Sequence, residues 1–195
     1  MTRRSVLTLA GIGAAVGLLL SVTALVLLLQ PPSAVGGRAA IGGPFALIDQ
    51  DGRPVTEASL EGEPSLLFFG YTHCPDVCPT TLNDMSQMLD ALGRDKKAQG
   101  IFVTVDPERD TPAVLKDYLS NFDPRIKAFT GTPEAIAAME KSYKVYAKKV
   151  SSTDGSYSMD HTAIVYLMDK EGRFVNAFNL EQSPKNAAAE FASYL

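Results

Sequence analysis

The run SLLFFGY at positions 65–71 carries no charge and no polar alternation. A continuous apolar run of strand length suits a strand covered on both faces, so the chain must supply material for both sides of a sheet. IFVTVD at 101–106 is a second run of this kind. Between them, TTLNDMSQMLDAL (80–92) spaces Leu82, Met85, Met88/Leu89 and Leu92 as the apolar stripe of a helix. Thr111-Pro112, Thr132-Pro133 and Ser183-Pro184 each offer a hydroxyl N-cap followed by proline at the first helical position, announcing three more helices. PFALIDQDGRPVT predicts a hairpin turning at Asp51-Gly52. AIVYLMD (163–169) and RFVNAFNL (173–180) predict another, turning through Lys170-Glu171-Gly172, and the last helix is expected from Pro184 to Ser193. The pattern is that of an α/β sandwich around a mixed sheet.

The front of the chain follows different rules. No charge appears between Arg4 and Arg38, and the apolar stretch from Ser5 to Leu29 is long enough to cross a hydrocarbon core of about 30 Å. It exceeds the roughly 7–15 apolar residues of a cleaved signal peptide. The expected organisation is a membrane anchor over 1–29, a Pro/Gly/Ala-rich linker over 30–43 and a folded domain over 44–195. Arg3 and Arg4 place the N-terminus in the cytoplasm under the positive-inside rule, leaving the domain on the outer side. Beyond residue 40 there are 15 basic against 22 acidic residues. That acidic balance excludes a nucleic-acid partner, which requires phosphate-neutralising Lys and Arg.

Both cysteines lie in GYTHCPDVCPTTL (70–82), where the first apolar strand hands over to its helix. A disulfide between Cys74 and Cys78 would close a very short loop and constrain the unfolded chain little, which argues against a structural staple. The i, i+4 spacing lets both sulfurs face one ion or each other, so redox and metal readings both stand. The start of a helix is expected to favour a thiolate there. His161, in SMDHTAIVYLMD, sits at the mouth of a predicted buried strand, where sites gather in open α/β folds. If it joins the thiols, two thiolates and an imidazole make a soft three-coordinate set, which suits copper better than four-coordinate zinc. His73 diverges from its neighbour Cys74 and reads as tuning or shielding the dithiol. Met85 and Met88 read as core and Met159 as gap-filler. Asp160 is compatible with hydrogen bonding to the site or with solvent, and VDPERDTP (105–112) reads as a loop and helix cap.

With these segments in hand, the chain resembles the Sco (SCO/SenC) family of copper chaperones. GYTHCPDVCPTTL, VDPERDTP, YLSNFDPRIKAFTG and YSMDHTAIVYLMDKEGRF carry the resemblance, which extends over residues 43–195. It implies a thioredoxin-like fold with an added N-terminal hairpin. It also implies a site for one copper ion, Cu(I) or Cu(II), formed by Cys74, Cys78 and His161, the cysteines doubling as a redox-active dithiol. It further implies help in assembling the dinuclear copper centre of cytochrome c oxidase, by copper delivery or by reduction of target cysteines. The partners implied are the copper-bearing oxidase subunit and other periplasmic copper chaperones or thiol reductases. A bacterial inner membrane with a periplasmic domain is the expected location, since the short N-terminus has no room for a transit peptide before the anchor. The alternative is a thiol–disulfide oxidoreductase without stoichiometric metal. Such enzymes of this fold usually carry Cys-x-x-Cys and a cis proline before the facing strand, where this chain has three intervening residues and Asp160-His161-Thr162.

Overall fold

The computed structural model of the chain describes residues 41–153 and 155–195. The expected anchor and most of the expected linker lie outside the described residues. Among the described residues no helix is long and apolar enough to cross a membrane.

The three central strands are β3 (Ser65–Gly70), β4 (Gln99–Thr104) and β5 (Ile126–Thr130). They pair in parallel, β3 with β4 from Ser65↔Gln99 to Gly70↔Thr104, and β4 with β5. Every residue of β3 and β4 is buried, as the two uncharged runs require. Full burial of Leu66, Leu67, Phe68 and Phe69 contributes about 1.5–3 kcal/mol per side chain. Antiparallel strands close both sides. β1 (Ala46–Asp49) pairs β5 and carries β2 (Pro54–Thr56) outside it, while β8 (Val165–Met168) pairs β3 and carries β9 (Phe174–Ala177). The sheet order is β2-β1-β5-β4-β3-β8-β9.

The two hairpins use one device. Asp49 Oδ1 accepts from the backbone N–H of Asp51 and Arg53, and Asp169 Oδ1 accepts from those of Glu171 and Arg173. Each turn closes on a glycine in the left-handed region, Gly52 (φ 77°) and Gly172 (φ 72°).

The helices are α1 (Val77–Leu92), α2 (Pro112–Leu119), α3 (Pro133–Tyr143) and α4 (Pro184–Ala192). All three expected caps form: Thr111, Thr132 and Ser183 accept from the N–H of Val114, Ala135 and Asn186. Each contributes on the order of 1 kcal/mol. α1 packs on α4, α2 lies against β5 and α3 against β1. Leu82, Met85, Met88 and Leu89 of α1 are fully buried, so both methionines are core residues as expected.

Three features depart from the sequence reading. β5 lies between α2 and α3, where the sequence pointed only to two successive helices. α1 begins at Val77 rather than Thr80, because Pro79 falls in its first turn, where the missing N–H has no intrahelical partner anyway. A separate two-stranded ribbon, β6 (Ala147–Ser151) with β7 (Tyr157–His161), follows α3 in antiparallel register from Ala147↔His161 to Ser151↔Tyr157.

Candidate metal centre

Cys74 lies in the turn after β3, tied back by its own N–H to the Tyr71 carbonyl (3.2 Å), and Cys78 lies in the first turn of α1. The β7 ribbon brings His161 across to them. Cys78 Sγ is 3.5 Å from His161 Nε2, and the donor atoms of Cys74, Cys78 and His161 all lie within 4.8 Å of one another. The three residues singled out in the sequence thus converge on one point. Both cysteines are free thiols.

The tautomer of His161 follows from its partners. Nδ1 is 3.1 Å from the Thr162 carbonyl, which can only accept, so Nδ1 carries the proton. Nε2 is left with its lone pair facing Cys78, the arrangement that orients an imidazole toward a metal. Two aromatic edges hold the ring in place: Tyr71 at 5.7 Å and Phe68 at 6.2 Å between centroids, both T-shaped. Such contacts contribute about 0.5–1.5 kcal/mol each for aromatic pairs.

The two thiols differ. Cys78 is fully buried, and burial pushes its thiol up, outweighing a backbone hydrogen bond from Tyr71 that acts the other way. The expected stabilisation of a thiolate by the helix start therefore does not hold for Cys78, since loss of water outweighs it. The helix N-terminus is directed elsewhere. Asp76 at the N-cap makes no side-chain cap, and the Cys78 N–H instead donates to Cys74 Sγ at 3.4 Å. Cys74 is the less buried residue of the pair, and Cys78 is fully enclosed.

The remaining candidates stay outside the cluster. His73 is exposed, and its Nδ1 pairs with Thr72 Oγ1 at 3.1 Å. Asp160 is exposed on the outer side of β7, which settles it as a solvent group. Met159 is half-buried against the core on the same strand face as His161, without joining the cluster.

Sequence reasoning missed the part played by Asp110. It is fully buried, and its carboxyl accepts from Thr104 Oγ1 (2.6 Å), Thr72 Oγ1 (2.6 Å) and the Thr72 N–H (3.1 Å). It ties the cysteine turn to the end of β4, two residues before Cys74. An acidic residue between Arg109 and the Thr111 cap gave no sign of burial; the available signal was the pair of threonines, Thr72 and Thr104, placed just past one buried strand and at the end of the other.

A thioredoxin-like sheet with two thiols at its central strand-to-helix turn and an imidazole delivered from across the fold defines a class of proteins suited to binding a soft metal ion or exchanging disulfides. Comparison with known proteins narrows that class. Residues 33–195 match the SCO1/SenC family, and the chain belongs to it. It is 39% identical over 183 residues to an SCO2-like protein of Rickettsia felis, covering 87% of this chain and 89% of that one. Among solved structures, Bradyrhizobium japonicum ScoI with copper bound is 58% identical with a TM-score of 0.78, covering 80% of this chain and all of that one. BsSco, a member of the Sco family of cytochrome c oxidase assembly proteins with an identified disulfide switch, is 27% identical with a TM-score of 0.61, covering 80% of this chain and 93% of that one.

Proposed function

We propose that this chain is a membrane-anchored copper chaperone that binds one copper ion through Cys74, Cys78 and His161. On this reading it assists assembly of the dinuclear copper centre of cytochrome c oxidase. The observation that carries the proposal is the convergence of two sulfurs and an imidazole nitrogen within 4.8 Å. Two thiolates suffice for copper(I), and the imidazole extends the set to copper(II). Loading displaces the Cys78 proton, so uptake strengthens as pH rises. A Cys74–Cys78 disulfide has no thiolate to offer, so oxidation blocks loading. The oxidase role is supported by family membership and by what BsSco is reported to belong to. The anchor over 1–29 is supported by the uncharged run between Arg4 and Arg38, and a periplasmic position at a bacterial inner membrane by Arg3 and Arg4 ahead of that run and by the likeness to bacterial relatives.

The test is anaerobic loading of the reduced full chain with copper, followed by dialysis and metal analysis. About one retained copper per chain is expected. It should be lost in Cys74→Ser and in Cys78→Ser. Wild type emerging without copper would overturn the proposal.

One observation favours a second activity at the same residues. A Cys74 less buried than the fully enclosed Cys78 is the asymmetry of a dithiol reductant. The Cys74 thiolate attacks a target disulfide, releasing one target thiolate. Cys78, after losing its proton, then attacks the mixed disulfide, releasing the second target thiolate and leaving Cys74–Cys78 oxidised. A target disulfide that stays intact in the presence of equimolar reduced chain would exclude this.

A further inference from the structure

The segment VDPERD (105–110) does more than start a helix. Asp106 and Asp110 are almost completely buried, which charged side chains tolerate only when paired and hydrogen-bonded. Asp110 holds the cysteine turn. Asp106 and Arg109 grip the other half of the site. Arg109 Nε pairs with Asp106 Oδ2, the Tyr157 hydroxyl donates to Asp106 Oδ1 (2.9 Å), and Arg109 Nη1 donates to the Tyr157 carbonyl (3.1 Å). The guanidinium also lies 3.6 Å from the centroid of the Tyr157 ring. Tyr157 opens β7 and His161 ends it, on the same inward face of the strand.

Besides this grip, the ribbon is tied to the body of the domain by the exposed Lys149–Glu108 ion pair (2.6 Å) and by the packing of Ala147 and Met159 on the core. All of β6 after Ala147 is exposed, as are Ser158 and Asp160 of β7. The bonds from the Thr162 N–H to the Tyr146 carbonyl and from the Tyr146 N–H to Thr162 Oγ1 join the two ends of the ribbon to each other, not to the sheet. The same guanidinium stands 5.8 Å over Tyr71, whose ring edge braces His161. Arg109 therefore acts on the imidazole from two sides, through the strand and through Tyr71. Its Nη2 is buried and has no hydrogen-bond partner among the described residues, so the guanidinium is placed by its contacts to Asp106, Tyr157 and Tyr71.

We infer that Arg109, locked by Asp106 and Tyr157, is the positioning residue that holds His161 in register with Cys74 and Cys78, and so sets how strongly the site prefers copper(II). This rests on the copper site proposed above. Copper(I), satisfied by the two thiolates, does not depend on the clamp, whereas copper(II), which uses the imidazole, does.

The experiment compares copper(I) and copper(II) affinity of the full chain, with the nitrogen hyperfine coupling of the copper(II) form, in wild type, His161→Ala, Arg109→Lys, Arg109→Leu and Tyr157→Phe. Arg109→Leu should lower copper(II) affinity about 10–100-fold, the range typical of lost outer-shell support. It should weaken the nitrogen coupling and leave copper(I) affinity unchanged. Arg109→Lys keeps the charge but not the fork, and should fail to restore the coupling. Tyr157→Phe removes one hydroxyl and retains both the ring and the Arg109–Asp106 ion pair, so it folds even where Arg109→Leu, which leaves Asp106 buried without its counter-ion, does not, and its effect should fall between wild type and Arg109→Leu. Wild-type nitrogen coupling and copper(II) affinity in both Arg109→Leu and Tyr157→Phe would overturn the inference, as would equal loss of copper(I) and copper(II) affinity in Tyr157→Phe. If wild type shows neither tight copper(II) binding nor any change on His161→Ala, it is the copper site itself that fails.

Discussion

Cys78 follows a strand on which all six residues are buried, and it is itself closed off from water. His161 ends a strand on which alternate residues face solvent, in a ribbon that pairs with no other strand of the domain. The thiol half is held by the core. Glycine at position 70 lets α1 approach β3 so closely that an added Cβ would stand 2.8 Å from Cys78 Sγ and 2.7 Å from Phe102 Cε2. The histidine half is held by contacts from one face of the ribbon to buried Phe68, Tyr71 and Asp106, while its other face is open to solvent. A site assembled from one rigid and one lightly tethered element retains its ion on the rigid part and adjusts it with the other.

The largest effect should come from breaking the rigid half chemically. Cys78→Ser removes a soft ligand from the buried side and should abolish retention of either oxidation state after dialysis, with the far-ultraviolet circular dichroism unchanged. Copper retained at wild-type stoichiometry would remove Cys78 from the site. Next comes the tethered half. His161→Ala should weaken copper(II) by more than the roughly 10–100-fold expected of an outer-shell change. It should leave copper(I) close to wild type in competition with a copper(I) chelator. Equal losses for the two ions would mean that the halves do not divide the work this way.

Packing gives a third test of the same contrast. Gly70→Ala forces a methyl group against Cys78 Sγ and Phe102, both fully buried, so neither can move aside freely. Overpacking of this kind costs about 1–3 kcal/mol. Urea denaturation should show that loss, and copper affinity should fall with it because Cys78 is what the methyl group displaces. Exposed ribbon positions such as Val150 should tolerate polar substitution within about 0.5 kcal/mol.

The same division explains what could be read from the sequence. The rigid half is written in long uncharged runs and in hydroxyl–proline caps, signals that depend only on local chemistry, and those elements appear where expected. The ribbon is AKKVS paired with YSMDH, charged and with only partial apolar alternation, because a two-stranded element lying on the surface has little to bury. His161 was therefore legible as a residue near the mouth of β8, but not as the end of a separate strand. β5, IKAFT, was obscured by the strong helix signals on either side and by the charged Lys127 at its second position. The buried carboxylates of the 105–110 segment had no local signature, since burial of a charge is decided by partners distant in sequence: Tyr157 for Asp106 and Thr72 for Asp110. The three ligand candidates were found because their residue types are rare in the chain, not because their geometry could be inferred.

A small, pH-dependent effect is expected beneath the ribbon. Glu140 of α3 lines a cavity of about 210 Å³ together with Val105, Ile136, Lys148, Lys149 and Met159, and burial raises its carboxyl from 4.5 to about 7. A carboxyl whose value is raised on folding stabilises the fold fully below its unfolded value. That contribution is lost as pH climbs from 4.5 through 7, because the unfolded chain releases the proton first. At pH 8 the folded chain holds a charge in a poorly solvated place, and Glu140→Gln removes it. The group is only half-buried, so solvent screening limits the gain to about 1 kcal/mol. Denaturation midpoints should therefore rise for Glu140→Gln at pH 8 and match wild type at pH 4.5. Equal midpoints at both values would show that water reaches the carboxylate beneath the ribbon. The ribbon would then sit more loosely on the core than its contacts imply, and the contrast between the two halves of the site would widen.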